Sequence, residues 1–448
     1  MPSVTLTYED GTVGVAGTSE ESLPGVETDD RSGTRRAAAY RYPALRDALR
    51  EAGHEIDDHV LDLPELPPLD SAYSLREYQR EALDAWEAND RRGVLELPTG
   101  SGKTVIALAA IAATGTPALV VVPTVDLLEQ WHRELSATFD VPVGRLGGGE
   151  QTVEALTVAT YDSAYLRADE LGDRFGLLVL DEVHHLGGEG YRDIARLFAA
   201  PARLGLTATF ERPDGAHEAV AELVGPVVYD LDPDDLAGEH LADYEVRRVE
   251  VELTDAERER YEEAQGTFLE YVREVGITFR SGSDYQELVK RSGNDPRARE
   301  ALLAKQRARE VMMNADAKLA ELSRILDRHR GERVIVFTAH TALVYRISER
   351  FLIPAITAET GTEERREILS RFRDGTYSRV VAANVLDEGV DVPEASVGVI
   401  LSGSGSEREF TQRLGRILRP GADGAKTATL YELVTNETAE ERVARRRR

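Results

Sequence analysis

Short apolar runs alternate with amphipathic helical stretches along most of the chain. Between about 75 and 230, helical patterns such as TVIALAAIAA and DLLEQWHREL separate five apolar runs: GVLEL, ALVVVP, LTVATY, LLVLDE and RLGLTAT. A second set follows from about 332 to 435, with the runs RVIVFTA, RVVAANV, SVGVILS and ATLYELV. Apolar strands that alternate with helices are typical of a parallel sheet with crossover helices. The pattern therefore predicts two similar α/β lobes.

Two other segments have different patterns. Residues 1 to about 70 contain short β-like runs, one helical stretch (YPALRDALREAGHEI) and a Pro-rich end, LPELPPLD, which predict a small α+β domain and a linker. Residues from about 255 to 315 are rich in Glu, Arg, Gln and Ala, and they predict a helical insertion broken near SGSDY and GNDP. The predicted domains are 1–70 (α+β), 71–230 (first lobe), 231–316 (connector and helical insertion) and 317–448 (second lobe with a basic tail).

Composition sets the broad class of protein. A chain of 448 residues with 42% hydrophobic and 30% charged residues is long and apolar enough for several globular domains. The absence of cysteine excludes disulfides and thiolate metal sites. No apolar run approaches the roughly 18 residues that cross a bilayer, and the first residues, MPSVTLTYEDG, lack a signal-peptide pattern. We therefore expect a cytoplasmic protein.

The charge needs a separate interpretation. A net charge of -27 normally counts against a nucleic-acid partner. Of the 54 basic residues only five are lysines, so the other 49 are arginines; the lysines are Lys103, Lys290, Lys305, Lys318 and Lys426. Abundant Asp and Glu with almost no Lys indicates adaptation to concentrated salt, where a screening length of about 3 Å at 1 M weakens long-range repulsion. Net charge is then a poor guide to the binding partner.

The segment LPTGSGKT, residues 97 to 104, lies between a predicted strand and an apolar helix. This is the context of a phosphate loop, in which backbone N–H groups surround phosphates, the lysine reaches the outer phosphates and the final hydroxyl binds Mg²⁺. The predicted ATP ligands are Thr99, Gly100, Ser101, Gly102, Lys103 and Thr104. Leu97 stands where the pattern has its first Gly, and a plain Gly-Ser turn is the alternative.

The segment LLVLDEVHH, residues 177 to 185, is an apolar strand that ends in two carboxylates. After a phosphate loop in the same lobe, Asp181 is expected to contact Mg²⁺ and Glu182 to polarise the water that attacks the γ-phosphate. A solvated start of a loop is the alternative for this pair. His184 is predicted to couple hydrolysis to movement, with metal binding as the alternative, and His185 has no assigned role.

An ordered series of motifs then gives a resemblance. The chain contains LREYQREAL, PTGSGKT, VVPTVDLLEQW, ATYDSAY, LDEVHH, GLTAT, VIVFTAHT, VLDEGVDVPEA and QRLGRILRP. Over about 75–435 this series resembles a superfamily 2 helicase of the XPB type, particularly its archaeal members. The resemblance implies two RecA-like lobes with ATP and Mg²⁺ in their cleft, a thumb insertion between them, and an N-terminal domain related to damage recognition. It implies ATP-driven DNA opening or translocation in repair or transcription.

The resemblance also assigns residues. The arginines of QRLGRILRP are spaced by three, which places them on neighbouring positions of one helix face that Pro420 ends. Arg416 and Arg419 would stabilise charge on the transferring phosphoryl group, with Gln412 positioning their helix. The remaining matches are Arg76 and Gln79 (adenine), Thr207 and Thr209 (hinge), Asp387, Gly389 and Asp391 (second-lobe contacts with nucleotide and strand), and Thr124, Gln130 and Thr160 (DNA backbone).

Several of these assignments have plain alternatives. Arg76 and Gln79 also suit the start of an ordinary amphipathic helix, and Thr124, Gln130 and Thr160 also suit burial or helix capping. The basic run KQRARE in the insertion suits either phosphate contact or a salt-bridged exposed helix.

One position departs from the family pattern. Pro213 replaces Glu between Arg212 and Asp214, and this loss of a carboxylate weakens the expectation of active strand separation without affecting ATP hydrolysis.

Two other functions stay open from the sequence. An RNA helicase is disfavoured because the DEAD tetrapeptide is absent, although no base-reading residue excludes it. The chain would otherwise be the ATP-driven motor of a nuclease or restriction-type complex, in which a partner protein cuts the DNA. No carboxylate cluster typical of a metal-dependent nuclease is evident in the sequence.

The composition makes a first prediction. We expect the chain to keep its fold and activity in molar KCl and to lose both in dilute buffer, because low salt restores repulsion within a chain of net charge -27. Circular dichroism before and after dialysis measures this effect. Full retention of structure and activity in dilute buffer would contradict the adaptation to salt.

Overall fold

The structure is a computed structural model. It describes residues 3–17, 23–30, 33–69, 73–98, 100–188, 190–210, 215–231, 244–276, 282–383, 395–402, 428–436 and 438. The chain divides into two compact units, of which the first is Met1–Ala237 with Glu388–Val390 and the second is Gly238–Asp387 with Asp391–Arg448. Within the described ranges, no helix combines the length and the apolar character needed to cross a membrane.

A small sheet opens the first unit. Its strands are β1 (Ser3–Glu9), β2 (Thr12–Ala16), β3 (Glu27–Thr28), β4 (Arg35–Ala38) and β5 (Glu55–His59). Their order is β3-β4-β2-β1-β5, and β1 pairs antiparallel with β2 and parallel with β5. Helix α1 (Tyr42–Glu51) buries Leu45 and Leu49 in the same core as Val4 and Leu6. The predicted mixture of short strands with one helix is confirmed.

A larger, mostly parallel sheet forms the rest of the first unit. Its strands are β6 (Arg92–Glu96), β7 (Ala118–Val122), β8 (Val143–Gly147), β9 (Glu150–Thr152), β10 (Leu156–Thr160), β11 (Leu177–Asp181), β12 (Ala202–Thr207) and β13 (Val227–Asp230). The order is β13-β6-β12-β11-β7-β10-β8-β9, and only the β8–β9 pair is antiparallel among these strands. Every residue of β7, β10 and β11 is buried, because helices cover both faces of a parallel sheet.

Helices accompany these strands; the first precedes β6 and the others connect the strands. They are α2 (Glu77–Ala88), α3 (Lys103–Thr114), α4 (Val125–Thr138), α5 (Tyr161–Leu166), α6 (Ala168–Leu171), α7 (Arg192–Leu197) and α8 (Ala216–Leu223), with a short 3₁₀ helix at Val183–Gly187. The strand and helix pattern predicted for this lobe is confirmed. An apolar core between helices and sheet contains Leu119, Leu178, Leu180 and Phe198.

A buried arginine joins three of these elements. Arg203 in β12 is 0% exposed, and its guanidinium donates to the backbone carbonyls of Ala195, Phe198 and Leu223 at 2.6–2.7 Å. These carbonyls lie in or next to the last turns of α7 and α8, whose final C=O groups have no partner within the helix. Arg203 thus fixes both helices to the sheet.

The second unit contains a six-stranded, fully parallel sheet. Its strands are β14 (Tyr244–Val251), β15 (Val334–Thr338), β16 (Ala355–Ile356), β17 (Arg379–Ala382), β18 (Val397–Ser402) and β19 (Ala428–Thr435), in the order β14-β19-β18-β15-β17-β16. Helices α12 (Asp316–Arg328), α13 (Thr341–Phe351) and α14 (Thr362–Arg373) accompany it. The sequence analysis assigned no strand within the connector, yet β14 pairs along its whole length with β19.

The predicted helical insertion follows β14 and is confirmed. Its helices are α9 (Asp255–Val275), α10 (Gly282–Ser292) and α11 (Pro296–Met313). Ala298, Ala301 and Ala304 on α11 pack against Phe268 and Tyr271 of α9, because small side chains let the two helices approach closely.

A buried carboxylate anchors the start of this insertion. Glu257 is 5% exposed and accepts from the backbone N–H of Thr254 and of Asp316, each at 3.0 Å. The first bond forms a capping box at the start of α9, and the second ties that helix to the first turn of α12. Glu257 therefore holds the insertion to the second lobe at one fixed point.

Candidate ATP site and nucleic-acid interface

The predicted motifs of the first unit meet at one edge of its large sheet. Five neighbouring parallel strands, in the order β6-β12-β11-β7-β10, have their carboxyl ends there. β6 leads into the phosphate loop, β11 ends at Asp181, β12 ends at Thr207, β7 precedes Thr124, and β10 ends at Thr160. Ligands of open α/β sheets bind outside the carboxyl ends of the strands. The fold therefore gathers the predicted residues of this lobe at a typical site.

The phosphate loop requires its glycines. Gly100 and Gly102 have φ of 87° and 84°, a left-handed conformation that costs other residues energy. A Cβ on Gly102 would also lie 2.5 Å from Nε2 of Gln79. The loop leads directly into α3, whose first residue is Lys103 and whose second is Thr104. The first backbone N–H groups of a helix lack the usual acceptor four residues earlier, so a helix start of this kind suits an anion.

The charged and hydroxyl groups of the loop fit a phosphate ligand. Nζ of Lys103 donates to the backbone carbonyls of Leu97 at 2.9 Å and Pro98 at 3.4 Å, so the ammonium group lies over the loop. Ser101 is 1% exposed, and its Oγ has no hydrogen-bond partner among the described residues. A buried hydroxyl without a partner is costly, which is the expected state of a group that binds a ligand.

Of the predicted adenine-reading residues, Gln79 contacts this loop and Arg76 contacts Gln79. Arg76 is the N-cap of α2, and its backbone N–H donates to Oε1 of Gln79 at 3.0 Å. Nε2 of Gln79 donates to the carbonyl of Ser101 at 2.9 Å, and the Tyr78 hydroxyl donates to the same carbonyl at 2.6 Å. The helix-start alternative therefore describes the local structure, and the same side chains also hold the loop.

Asp181 is the most enclosed carboxylate of the site. It is 8% exposed, so the alternative of a solvated loop start is wrong for this residue. Oδ2 accepts from the indole Nε1–H of Trp131 at 2.8 Å, and Oδ1 accepts from the backbone N–H of Glu182 at 3.0 Å. The hydroxyl of Tyr161 donates to the backbone carbonyl of Asp181 at 3.1 Å. Both the carboxylate and its peptide group are thus held in place.

Burial raises the pKa of Asp181 to about 6, and the neighbouring charge of Glu182 acts in the same direction. The Trp131 hydrogen bond and the charge of Lys103 oppose this rise in pKa. Burial likewise raises the pKa of Tyr161 well above its usual value, so its hydroxyl remains a donor at neutral pH. The carboxylate is thus poised to gain stabilisation from a cation.

Glu182 and His184 follow in a tight turn. Glu182 has φ of 48°, which is uncommon for a residue with a side chain, and its buried Oε2 has no hydrogen-bond partner in the described ranges. His184 is buried, and its Nδ1 lies 3.2 Å from Oγ1 of Thr207. Thr207 Oγ1 also contacts the backbone of Thr209. The structure therefore connects the predicted coupling residue to the predicted hinge.

Of the three residues predicted to contact DNA, Thr124 and Thr160 lie at the starts of α4 and α5. Oγ1 of Thr124 accepts from the N–H of Leu127, and Oγ1 of Thr160 accepts from the N–H of Ser163, each at 3.3 Å. Both hydroxyls are thus helix caps, as the alternative prediction had it. Gln130 is half-buried on α4.

The other predicted site residues lie outside the described residues: Thr99, Arg212, Asp214, Asp387, Gly389, Asp391, Gln412, Arg416 and Arg419.

Sequence reasoning missed Tyr78, Trp131 and Tyr161. Each stands inside a motif that was recognised, and each is an aromatic residue with a polar atom in a chain that is only 6% aromatic. Buried Tyr and Trp usually need a hydrogen-bond partner, so that combination was a usable signal.

The raised pKa of Asp181 makes a prediction for the nucleotide-free protein. The folded state holds this proton more tightly than the unfolded state between pH 3.8 and about 6, so ionisation opposes folding as the pH rises through that window. Asp181→Asn removes the effect. The free energy of unfolding of the variant relative to the wild type should therefore rise from pH 4 to pH 7, by up to about 3 kcal/mol. Urea unfolding of both proteins measures it, and a pH-independent difference would contradict the raised pKa.

Comparison with protein families gives three matches along the chain. Residues 6–60 match the Xeroderma pigmentosum group B helicase damage recognition domain. Residues 72–212 match a family described as type III restriction enzyme, res subunit, and residues 317–421 match the helicase conserved C-terminal domain. The crystal structure of the Pyrococcus furiosus Hef helicase domain covers 83% of this chain and 98% of its own, with a TM-score of 0.54 and 20% identity, which shows a likeness of fold.

Comparison with individual proteins narrows the family. The chain is 34% identical to a putative DNA 3'-5' helicase Rad25 of Halobacterium salinarum and 32% identical to the DNA 3'-5' helicase XPB of Mycobacterium tuberculosis. These alignments cover 92% and 84% of this chain but only 62% and 63% of those proteins. It is 44% identical to the DNA 3'-5' translocase XPB2 of Sulfurisphaera tokodaii, over 96% of this chain and 97% of that protein. The chain therefore belongs to the XPB-type family of superfamily 2 DNA helicases.

Proposed function

We propose that this chain is an ATP-driven DNA translocase that hydrolyses ATP with Mg²⁺ and moves along DNA in the 3'-5' direction. The direction is taken from the names of the relatives in Sulfurisphaera tokodaii and Mycobacterium tuberculosis. The observation that carries the proposal is the convergence of the phosphate loop, the buried Asp181 and the His184–Thr207 pair at one edge of one sheet. A protein that only binds nucleotide has no need of a second carboxylate, Glu182, to orient water.

In this proposal, different residues of the first lobe have different roles in ATP hydrolysis. The loop from Gly100 to Thr104 surrounds the phosphates, and Lys103 turns its ammonium group from the loop carbonyls to the outer phosphates. Thr104 and Asp181 hold the metal ion. Bound Mg²⁺ would neutralise charge on the β- and γ-phosphate oxygens. Glu182 Oε2, which has no hydrogen-bond partner in the described ranges, orients the attacking water.

The second lobe supplies the arginines in this proposal. Arg416 and Arg419, with Gln412 holding their helix, stabilise the charge of the transferring phosphoryl group, and Gly389 and Asp391 contact the nucleotide. The support is the family resemblance and the match of residues 317–421 to the helicase C-terminal family. Arginines in this role raise turnover by orders of magnitude without being needed for nucleotide binding.

The residues proposed to contact DNA are likewise assigned from the family resemblance. Thr124 and Thr160 lie where α4 and α5 begin, and Gln130 lies farther along α4. Hydroxyl and amide groups commonly bind the phosphate backbone. Arg212, Asp214 and Asp387 complete the proposed strand contacts. Thr207 and Thr209 act as the hinge, and Arg76 and Gln79 read the adenine base.

An alternative is the motor subunit of a nuclease complex, which one family match favours. The match of residues 72–212 carries the name of a restriction-enzyme subunit. Under this alternative the ATP site is unchanged, and DNA stimulation of turnover needs a partner protein. An RNA helicase is the other alternative. The same assay separates all three.

We expect ATP turnover in molar KCl with Mg²⁺ to rise severalfold with single-stranded or forked DNA and to rise less with RNA. Lys103→Ala provides the blank, because it removes the ammonium group from the phosphate loop. Stimulation by RNA over DNA would replace the proposal with an RNA helicase. Turnover without stimulation by either nucleic acid would favour the partner-dependent motor.

The arginine assignment has its own test. Arg419→Ala should bind ATP about as well as the wild type and lose turnover by about 10³-fold or more, because the arginine acts on the transition state. Nucleotide binding by calorimetry and turnover under saturating ATP measure the two effects separately. Normal turnover in this variant would refute the role, and a matching loss of binding would place Arg419 in ground-state recognition.

A further inference from the structure

Two helices of the first lobe each carry one aromatic side chain that donates a hydrogen bond to Asp181. Trp131 belongs to α4, which begins after β7, and Tyr161 is the first residue of α5, which begins after β10. The indole N–H of Trp131 donates to Oδ2 of Asp181 at 2.8 Å, and the hydroxyl of Tyr161 donates to the Asp181 backbone carbonyl at 3.1 Å. Two separate helices thus bind one residue at two different atoms.

These contacts are buried and directional. Trp131 is 1% exposed and Tyr161 is 2% exposed, so both donors lie out of contact with solvent. Trp131 orients the carboxylate, whereas Tyr161 holds the peptide at the end of β11. A shift of either helix therefore acts on a hydrogen bond of Asp181.

The same helices begin with the proposed DNA contacts. Thr124 is the N-cap of α4, and Gln130 is the residue before Trp131. Thr160 is the N-cap of α5 and the residue before Tyr161. Each proposed contact is therefore joined through its own short helix to the proposed metal ligand.

We propose that Trp131 and Tyr161 are positioning residues that couple DNA at the starts of α4 and α5 to the orientation of Asp181. This inference rests on the proposed function, because it takes the helix starts as the DNA side and Asp181 as the Mg²⁺ side. Neither aromatic residue touches nucleotide or DNA. They set the geometry of the carboxylate, and outer partners of this kind typically change metal affinity or activity by about 10–100-fold.

The chain offers a matched control for the tryptophan. It contains two tryptophans, and the other, Trp86 of α2, is 0% exposed and donates its indole N–H at 2.9 Å. Its acceptor is the backbone carbonyl of Arg203 in β12 rather than Asp181. Trp86→Phe and Trp131→Phe therefore each remove an indole N–H from a buried position. They differ only in which acceptor loses its donor.

A matched control also exists for the tyrosine. Tyr8 of β1 donates its hydroxyl to the backbone carbonyls of Asp169 and Leu197 at 2.9 Å and 3.0 Å. Tyr8→Phe and Tyr161→Phe thus each remove a hydroxyl that donates to backbone carbonyls within the same unit. Of these two tyrosines, only Tyr161 donates to Asp181. The tyrosine pair keeps the test possible if a tryptophan variant fails to fold.

The first measurement is ATP turnover as a function of Mg²⁺, with and without single-stranded DNA. Trp131→Phe should raise the Mg²⁺ concentration for half-maximal turnover about tenfold or more and reduce the stimulation by DNA toward unity. Tyr161→Phe should reduce the stimulation in the same direction. Trp86→Phe and Tyr8→Phe should match the wild type in both quantities. Equal effects in a variant and its control would overturn the positioning role.

The second measurement does not depend on turnover. In Trp86→Phe, Trp131 is the one remaining tryptophan of the chain, so the indole emission reports its surroundings directly. Addition of single-stranded DNA, and separately of Mg²⁺ with ADP, should change the intensity or wavelength of this emission. In Trp131→Phe, the emission of Trp86 should stay constant. Constant Trp131 emission under both additions would overturn the inference.

The two proposals fail in different ways. A wild-type chain that hydrolyses ATP without stimulation by DNA would contradict the proposed function, while the Mg²⁺ dependence of Trp131→Phe would still decide whether Trp131 positions Asp181. Suppose instead that DNA stimulates ATP turnover equally in the wild type, Trp131→Phe and Tyr161→Phe. That result leaves the proposed function standing and overturns the coupling.

Discussion

The buried carboxylate of Asp181 is the constraint around which the first lobe is arranged. A carboxylate loses solvation at the end of a fully buried strand, and burial raises its pKa to about 6. Two N–H donors compensate in part, one from Trp131 and one from the backbone of Glu182. Without a cation the site remains incompletely compensated. Such a group is retained for what it binds rather than for stability, since an apolar residue in its place would cost less.

The opposite side of Asp181 is held rigidly. Helix α8 and the short helix Val183–Gly187, which carries His184, pack against each other, and Arg203 fixes the last turns of α7 and α8 to β12. His184 then reaches Thr207 at the end of that same strand. The turn after Asp181 is therefore backed by a guanidinium network, whereas its other neighbours are α4 and α5.

Much of this lobe could be predicted from the sequence, because apolar runs separated by helical patterns determine a parallel sheet and its carboxyl edge. The phosphate loop and the Asp181–Glu182 pair followed from motif order, whereas the contact between His184 and Thr207 is seen only in the structure. Three kinds of feature did not follow. The burial of Arg203 did not follow, because it depends on carbonyls that nearby helix ends provide. Strand β14 was missed because its partner, β19, lies about 180 residues away. The donors to Asp181 were missed because side-chain direction cannot be read from a motif.

The buried hydrogen bonds to Asp181 matter most in concentrated salt, where interactions between charges are screened. In concentrated salt an exposed ion pair loses most of its attraction, and the net charge of -27 does not help to attract DNA from a distance. In the proposed function, binding then depends on short-range groups such as the hydroxyls of Thr124 and Thr160. The proposed coupling from those groups to the ATP site must likewise work where salt screens charges. Indole and phenol donors are neutral, and both are buried at Asp181, so counterions neither screen nor replace them. A coupling route made of neutral, buried donors is therefore the kind that works equally well in dilute and concentrated salt, as long as the fold itself persists.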